Sequence, residues 1–294
     1  MNSIGEKVFR GGLLPAALSL AAGIALAQSG HAQQPQQPQQ QQQQQQKKPS
    51  LILEDPNAPP PAAPVNAEEE NAYKAFMAMP NEDHPGRIQA GEAFLQKYPQ
   101  SRFAGPVYSA LTLSYFMTSQ TDKMFDRGEK ALALIPTDAN TLAILGQTMS
   151  RTWKPGTPQS AADLDKAENY SKRAIEVVPT IPKPATATDE AFASVKNQLL
   201  SIAHSGLGLV YIHRQKYAEA TAELEQAVKV VPAEQVDPVN YFLLGLADEK
   251  TSHFDDAIAA FGKCGEMQWQ MQSNCKAGIE DAKKLKATQP SAPK

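Results

Sequence analysis

From Glu68 onward the chain repeats itself. A helical stripe of small and aliphatic residues, a stop, and a fresh start recur about every 34 residues. Ala220, Leu224, Ala227 and Val231 lie at i, i+4, i+7 and i+11, which is one face of a helix. Pro136, Pro179 and Pro232 each follow such a stripe and end it. Asp138, Thr188 and Asp237 stand where helices begin, with the short acceptor side chains that cap a first turn. Pro238 follows Asp237 at the first helical position, where its missing N–H costs nothing. One hairpin of this kind cannot bury its apolar face alone, so neighbouring copies must stack, and the expected fold class is all-α.

The copies fall near 68–101, 105–138, 139–181, 201–234 and 238–271, followed by a capping helix over 272–288 and a short tail over 289–294. In the fourth, His204, Leu207-Gly208, Tyr211, Ala220, Leu224 and Pro232 fall in sequence; in the fifth, Tyr241, Leu244-Gly245, Ala257 and Phe261 do the same, with Asp248 where a tyrosine is usual. Tyr108, Leu111, Tyr115 and Pro136 mark the second copy, and Leu142, Leu145-Gly146 and Pro179 the third. This spacing resembles the W-x2-L-G-x2-Y, A-x3-F, P pattern of the tetratricopeptide repeat (TPR) family, in its exported bacterial form. The resemblance implies a right-handed superhelical solenoid of about four clear hairpins plus one degenerate one, closed by the C-terminal helix.

It also implies a function. TPR solenoids bind peptides or partner helices on a concave side built from the first helix of each hairpin. Carried over residue by residue, the candidate groove consists of Leu113, Phe116 and Met117 in the second copy, Gln147 and Arg151 in the third, Leu209, Ile212 and His213 in the fourth, and Phe242 and Leu246 in the fifth. The lysine and asparagine set with which some members clamp a C-terminal carboxylate is absent. An apolar strip of this kind suits an amphipathic helix or an extended hydrophobic peptide. The expected role is a non-catalytic scaffold for another envelope or secreted protein. The alternatives are a self-associating structural module and a carbohydrate or small-ligand binder, for which Trp153 and Trp269 are the aromatic platforms on offer.

Two segments break the repeat. Arg151 to Ser160 forms a loop where a tight turn is expected, and Thr180 to Ala187 is a proline-rich interruption before one long helix over Asp189 to Arg214. Trp153 in the first break is either an exposed interface anchor or a lid folded back over its own hairpin.

The N-terminus reads as a targeting signal. Lys7 and Arg10 precede fifteen uncharged residues, Leu13 to Ala27, that end in Ala25-Leu26-Ala27. Cleavage after Ala27 or Ala32, or retention as an anchor, are the outcomes this pattern allows. Residues 28–67 follow as a spacer in which Gln33 to Gln46 holds twelve glutamines and two prolines, too polar to bury a core. Leu51-Ile52-Leu53 is its one aliphatic island. An exported protein meets oxidising conditions, and Cys264 and Cys275 flank the turn at Trp269 at similar distances, so a Cys264–Cys275 disulfide is expected, with two buried thiols as the alternative.

Composition removes several functions. With 28 Lys and Arg against 31 Asp and Glu, the net charge of −3 carries no basic footprint for nucleic acid. The sequence contains no phosphate loop, no HExxH, no C-x-x-C and no nucleophile elbow. His84, His204, His213 and His253 have no carboxylate or cysteine at metal-ligand spacing. No catalytic residue, cofactor or metal is therefore expected, and no membrane-spanning segment after the signal.

Overall fold

The computed structural model describes residues 66–289. The targeting signal, the glutamine-rich spacer with its Leu51-Ile52-Leu53 island, and the last five residues lie outside the described residues. The described chain is helical throughout: α1 (Ala67–Met77), α2 (His84–Lys97), α3 (Ala104–Met117), α4 (Thr121–Leu134), α5 (Ala139–Thr152), α6 (Ser160–Val177), α7 (Asp189–His213), α8 (Tyr217–Lys229), α9 (Pro238–Lys250), α10 (Phe254–Glu266) and α11 (Gln272–Thr288). Each helix packs on the next in sequence, and α5 also lies along α7. Hairpins α3/α4, α5/α6, α7/α8 and α9/α10 form the body of an α solenoid, with α1/α2 at one end and α11 against α10 at the other.

The local chemistry explains where the helices start. Asp138 accepts from the Thr141 N–H, Thr188 from Ala191 N–H and Asp237 from Val239 N–H, at 3.3, 3.2 and 3.0 Å. Each expected cap therefore satisfies a donor that the helix itself leaves orphaned. The insertion over Thr180 to Ala187 is followed, as expected, by the unusually long α7.

The turns between paired helices share one device. Ser119, Gln215 and Ser252 adopt left-handed φ values of 58°, 58° and 64°. In each case the next N–H bonds back to a carbonyl five residues earlier: Gln120 to Tyr115 at 2.9 Å, Lys216 to Tyr211 at 2.8 Å and His253 to Asp248 at 2.9 Å. This is the Schellman closure of a helix, which usually employs glycine. An L side chain in this region costs about 1–2 kcal/mol, partly offset because glycine loses more freedom on folding. Gln215→Gly is accordingly expected to raise the unfolding free energy by about 0.5–1 kcal/mol in a denaturant melt. Trp153 stands at the equivalent place in the third copy, but with φ −57° and ψ 139° it leads into the longer loop instead.

The core divides into two main clusters. One runs from Phe76 through Leu111, Leu142 and Leu145 to Ala203; the other runs from Leu209 through Leu224, Phe242 and Phe261 to Ala282. Glycines set the closest approaches. A Cβ at Gly208 would lie 2.6 Å from Leu224 Cγ, and one at Gly206 would lie 2.9 Å from the Cα and N of Gln147. The second neighbour is backbone, which cannot step aside as a flexible side chain can. Helices α5 and α7 therefore touch more closely than any side chain at 206 would permit.

Asp248, at the place where the repeat pattern has tyrosine, is buried between α9 and α8 and accepts from Thr221 Oγ1 at 3.0 Å. Burial pushes its carboxyl pKa up, the Thr221 hydrogen bond pulls against this, and the nearby Asp256 and Glu225 charges add to the rise. A carboxyl whose pKa is higher folded than unfolded gives stability below its unfolded pKa, near 3.9, that is lost as the pH climbs through the folded value. Asp248→Asn removes that loss. Its Tm is expected to exceed wild type at pH 7, with the gap closing by about pH 3, as read by thermal circular dichroism across that range.

Candidate partner-binding face

The first helices of the hairpins are α3, α5, α7 and α9, and the structure treats their inner-face residues unequally. Leu113, Phe116 and Met117 on α3, Ile212 on α7 and Leu246 on α9 are half-buried and keep apolar surface in solvent. Gln147, Leu209 and Phe242 do not: they are 2%, 2% and 0% exposed. These three correct the sequence-derived groove. Gln147 is sealed because Gly206 lets α7 ride directly on its backbone. Leu209 and Phe242 belong to one buried apolar cluster, where the Phe242 ring packs on Phe261 with centroids 5.8 Å apart.

Arg151 is a correction of a different kind. Its guanidinium Nη2 meets Asp237 Oδ2 at 2.6 Å, with only 11% and 6% of the two side chains exposed. The pair joins the end of α5 to the start of α9, so Arg151 ties helices together and leaves little of its side chain in solvent. Asp237 uses its other oxygen as the α9 cap, so one carboxylate serves two roles. The cap was legible in the sequence. The ion pair was not, because 86 residues separate its members.

His213 and Trp153 also turn inward. His213 Nε2 lies 3.0 Å from the Ser150 carbonyl, which can only accept, so this nitrogen carries the proton. Burial pushes the imidazole pKa down, partly opposed by that hydrogen bond. The ring packs on Trp153 with centroids 4.4 Å apart. Trp153 Nε1 donates to the Ser160 carbonyl at 2.7 Å, and its ring lies against the small cluster of Leu164, Ala167 and Val210. Of the two roles open to Trp153, the structure has the lid folded over its own hairpin. Trp269 donates through Nε1 to the Cys264 carbonyl at 3.1 Å and packs against the C-terminal cluster. Neither indole stands free as a platform for a sugar ring.

Cys264 and Cys275 are placed as a bonded pair across the α10–α11 turn, with Cα atoms 5.9 Å apart and both side chains fully buried. His204, at a core-like position in the repeat, meets Glu223 Oε2 through Nδ1 at 2.7 Å within the α7/α8 hairpin. On the second hairpin, Arg127 grips Glu92 with two bonds of 2.7 Å while Tyr115 donates to the same carboxylate at 2.8 Å. Burial, followed by this contact with Glu92, holds the Tyr115 phenol pKa up at about 12. These polar groups are spent in holding helices together. Among the described residues, no group of three or more His, Cys, Asp or Glu is arranged to hold a metal ion, and no helix is long and apolar enough to cross a membrane.

No family model matches the chain, and no curated protein matches it. Among solved structures it is similar to TTC0263, a thermophilic TPR protein of Thermus thermophilus, at 18% identity over 74% of this chain and 100% of that one, with a TM-score of 0.44. It is also similar to PilW, a widely conserved type IV pilus biogenesis factor, at 16% identity over 78% of this chain and 96% of that one, with a TM-score of 0.47. In the stacking of its own hairpins the described chain is an α solenoid, and its repeat pattern resembles that of the TPR family.

Proposed function

We propose that this chain is a non-catalytic exported scaffold that binds another protein of the cell envelope through the remaining apolar part of its inner face. The observation that carries this reading is the set of first-helix side chains left half-exposed: Leu113, Phe116 and Met117 on α3, with Ile212 on α7 and Leu246 on α9. Stacked hairpins that spend their polar groups on one another, yet leave aliphatic and aromatic surface on successive first helices, suit an amphipathic helix or a hydrophobic peptide. In this reading residues 1–27 direct export, residues 28–67 are a tether that lets the solenoid reach its partner, and residues 68–288 do the binding. The oxidising compartment that follows from export also agrees with the paired cysteines.

The test is affinity capture from envelope extract with the mature chain, beside a Met117→Asp/Leu246→Asp variant checked for retained helix by circular dichroism. Both positions are partly exposed, and because Leu246 also packs against the C-terminal apolar cluster, the circular dichroism check is what shows that the variant remains folded. Capture of a protein by wild type and not by the folded variant is the expected result. Equal capture by both would overturn the inner face as the binding surface. No capture, together with a mass that grows with concentration in light scattering, would replace the scaffold reading with a self-associating module.

A further inference from the structure

The α5–α7 and α7–α9 junctions between successive first helices are built differently. Between α5 and α7 the contact is close along most of α5, with Gly206 against the Gln147 backbone. Between α7 and α9 the contact is polar around the start of α9, while Leu209, farther along α7, shares the apolar cluster of Val239 and Phe242. Ser205 Oγ donates to Asn240 Oδ1 at 2.6 Å, Gln198 Nε2 donates to Gln235 Oε1 at 3.3 Å, and Arg151 reaches from α5 to Asp237 at 2.6 Å. A small cavity lies beside these groups, where Gln198, Gln235, Asp237 and Asn240 line it together with the aliphatic Ile202 and Val231. The Gln198 Oε1 that faces this region is buried with no hydrogen-bond partner, and so is Arg151 Nε. On the other side of α9 the contact is different again. There α8 brings Ala220 and Leu224 into the same apolar cluster as Val239 and Phe242, and α8 and α9 pack closely.

We propose that this junction is a hinge: the C-terminal unit of α9, α10 and α11 rocks about its apolar contact with α8, and the Arg151–Asp237 pair is the latch that closes its inner side. The physical reason lies in what each side loses on opening. Separating an apolar contact exposes surface to water at a cost proportional to area. Separating a polar seam exchanges protein hydrogen bonds for water hydrogen bonds with little net change. A unit held by an apolar contact with α8 and with Leu209 of α7, and by a polar seam at the start of α9, therefore opens at the seam. The latch is the exception, since opening leaves two charges to be rehydrated and closing pairs them directly. The consequence concerns shape: a hinge here changes the angle between the α3–α7 part of the inner face and Leu246 on α9. It stands whether or not the scaffold reading is correct, since it concerns the unbound protein.

Hydrogen exchange on the full chain tests this, comparing wild type with Arg151→Met and Asp237→Asn. The asparagine retains an oxygen for the α9 cap. In both variants, amides of segments 198–206 and 238–246 are expected to accelerate at least tenfold more than those of α3, α4, α10 and α11, whose change reports only the global destabilisation, with unchanged helical circular dichroism. Acceleration spread evenly over all helices would overturn the proposal by making the pair a contributor to global stability only. No acceleration would overturn it as well. If either variant loses its helix, spin labels on exposed Asn140 and Lys250 (Asn140→Cys, Lys250→Cys) in the otherwise unaltered chain decide instead. A broad or two-peaked distance distribution supports the hinge, and one narrow peak overturns it.

Discussion

Asp237→Ala is expected to lower the unfolding free energy by about 3–5 kcal/mol, the cost of stripping one partner from a buried ion pair. Two losses combine. The Arg151 guanidinium, 11% exposed in its side chain, keeps its charge and loses its counter-ion. The Val239 N–H loses its cap as well, which on its own is worth about 1 kcal/mol. Asp237→Asn retains a cap acceptor and is expected to cost less. Removing both charges together, as Arg151→Met/Asp237→Asn, is expected to recover much of the loss, because no buried charge is then left alone. A double-mutant cycle by urea melting measures this. Additive single and double costs would mean that the pair is not coupled and that the short contact contributes little.

The second large effect is at the C-terminal cap. Cys264→Ala/Cys275→Ala is expected to lower the unfolding free energy by about 2–4 kcal/mol if the pair is oxidised. At roughly 2–4 °C per kcal/mol for a domain of this size, thermal circular dichroism would record a fall of about 4–16 °C. The pair staples α11 to α10, and without it the Phe261 ring, which packs against the Gly278 position of α11, loses its cover. The bond itself is checked separately. Protein isolated without reductant and unfolded in the presence of a thiol reagent is expected to take up no label, and two labels per chain would make these residues buried thiols. Such terminal stapling suits a solenoid, whose end repeat has a neighbour on one side only.

The residues that decided the helices act over short distances. Asp138, Thr188 and Asp237 cap helices with side chains that reach two or three residues ahead. The stripe Ala220, Leu224, Ala227 is fully buried where its spacing demands. Cys264 and Cys275 meet because a single turn separates two antiparallel helices. Each is an interaction between residues close along the chain, so spacing alone carries it.

The inner face did not follow in the same way. Leu113 and Leu209 occupy equivalent positions in their repeats, each two residues after the conserved-type leucine at 111 or 207, yet one is half-exposed and the other buried. The difference lies in what neighbouring helices bring up to them, which depends on inter-helix distance. Gly206 closes α7 onto Gln147, and Arg151 finds its partner across 86 residues. The sequence left Trp153 as either an interface anchor or a lid, and His213 and the Ser160 carbonyl, which take up its ring and its N–H, decide for the lid. Sequence by itself thus determined the helices, their caps, their pairing into hairpins and the class of fold, because those rest on local periodicity and on one short turn at a time. Only the tertiary structure decided which inner-face residues remain open to a partner, because burial is settled by the spacing between helices, and no pattern within one repeat encodes the distance to the next.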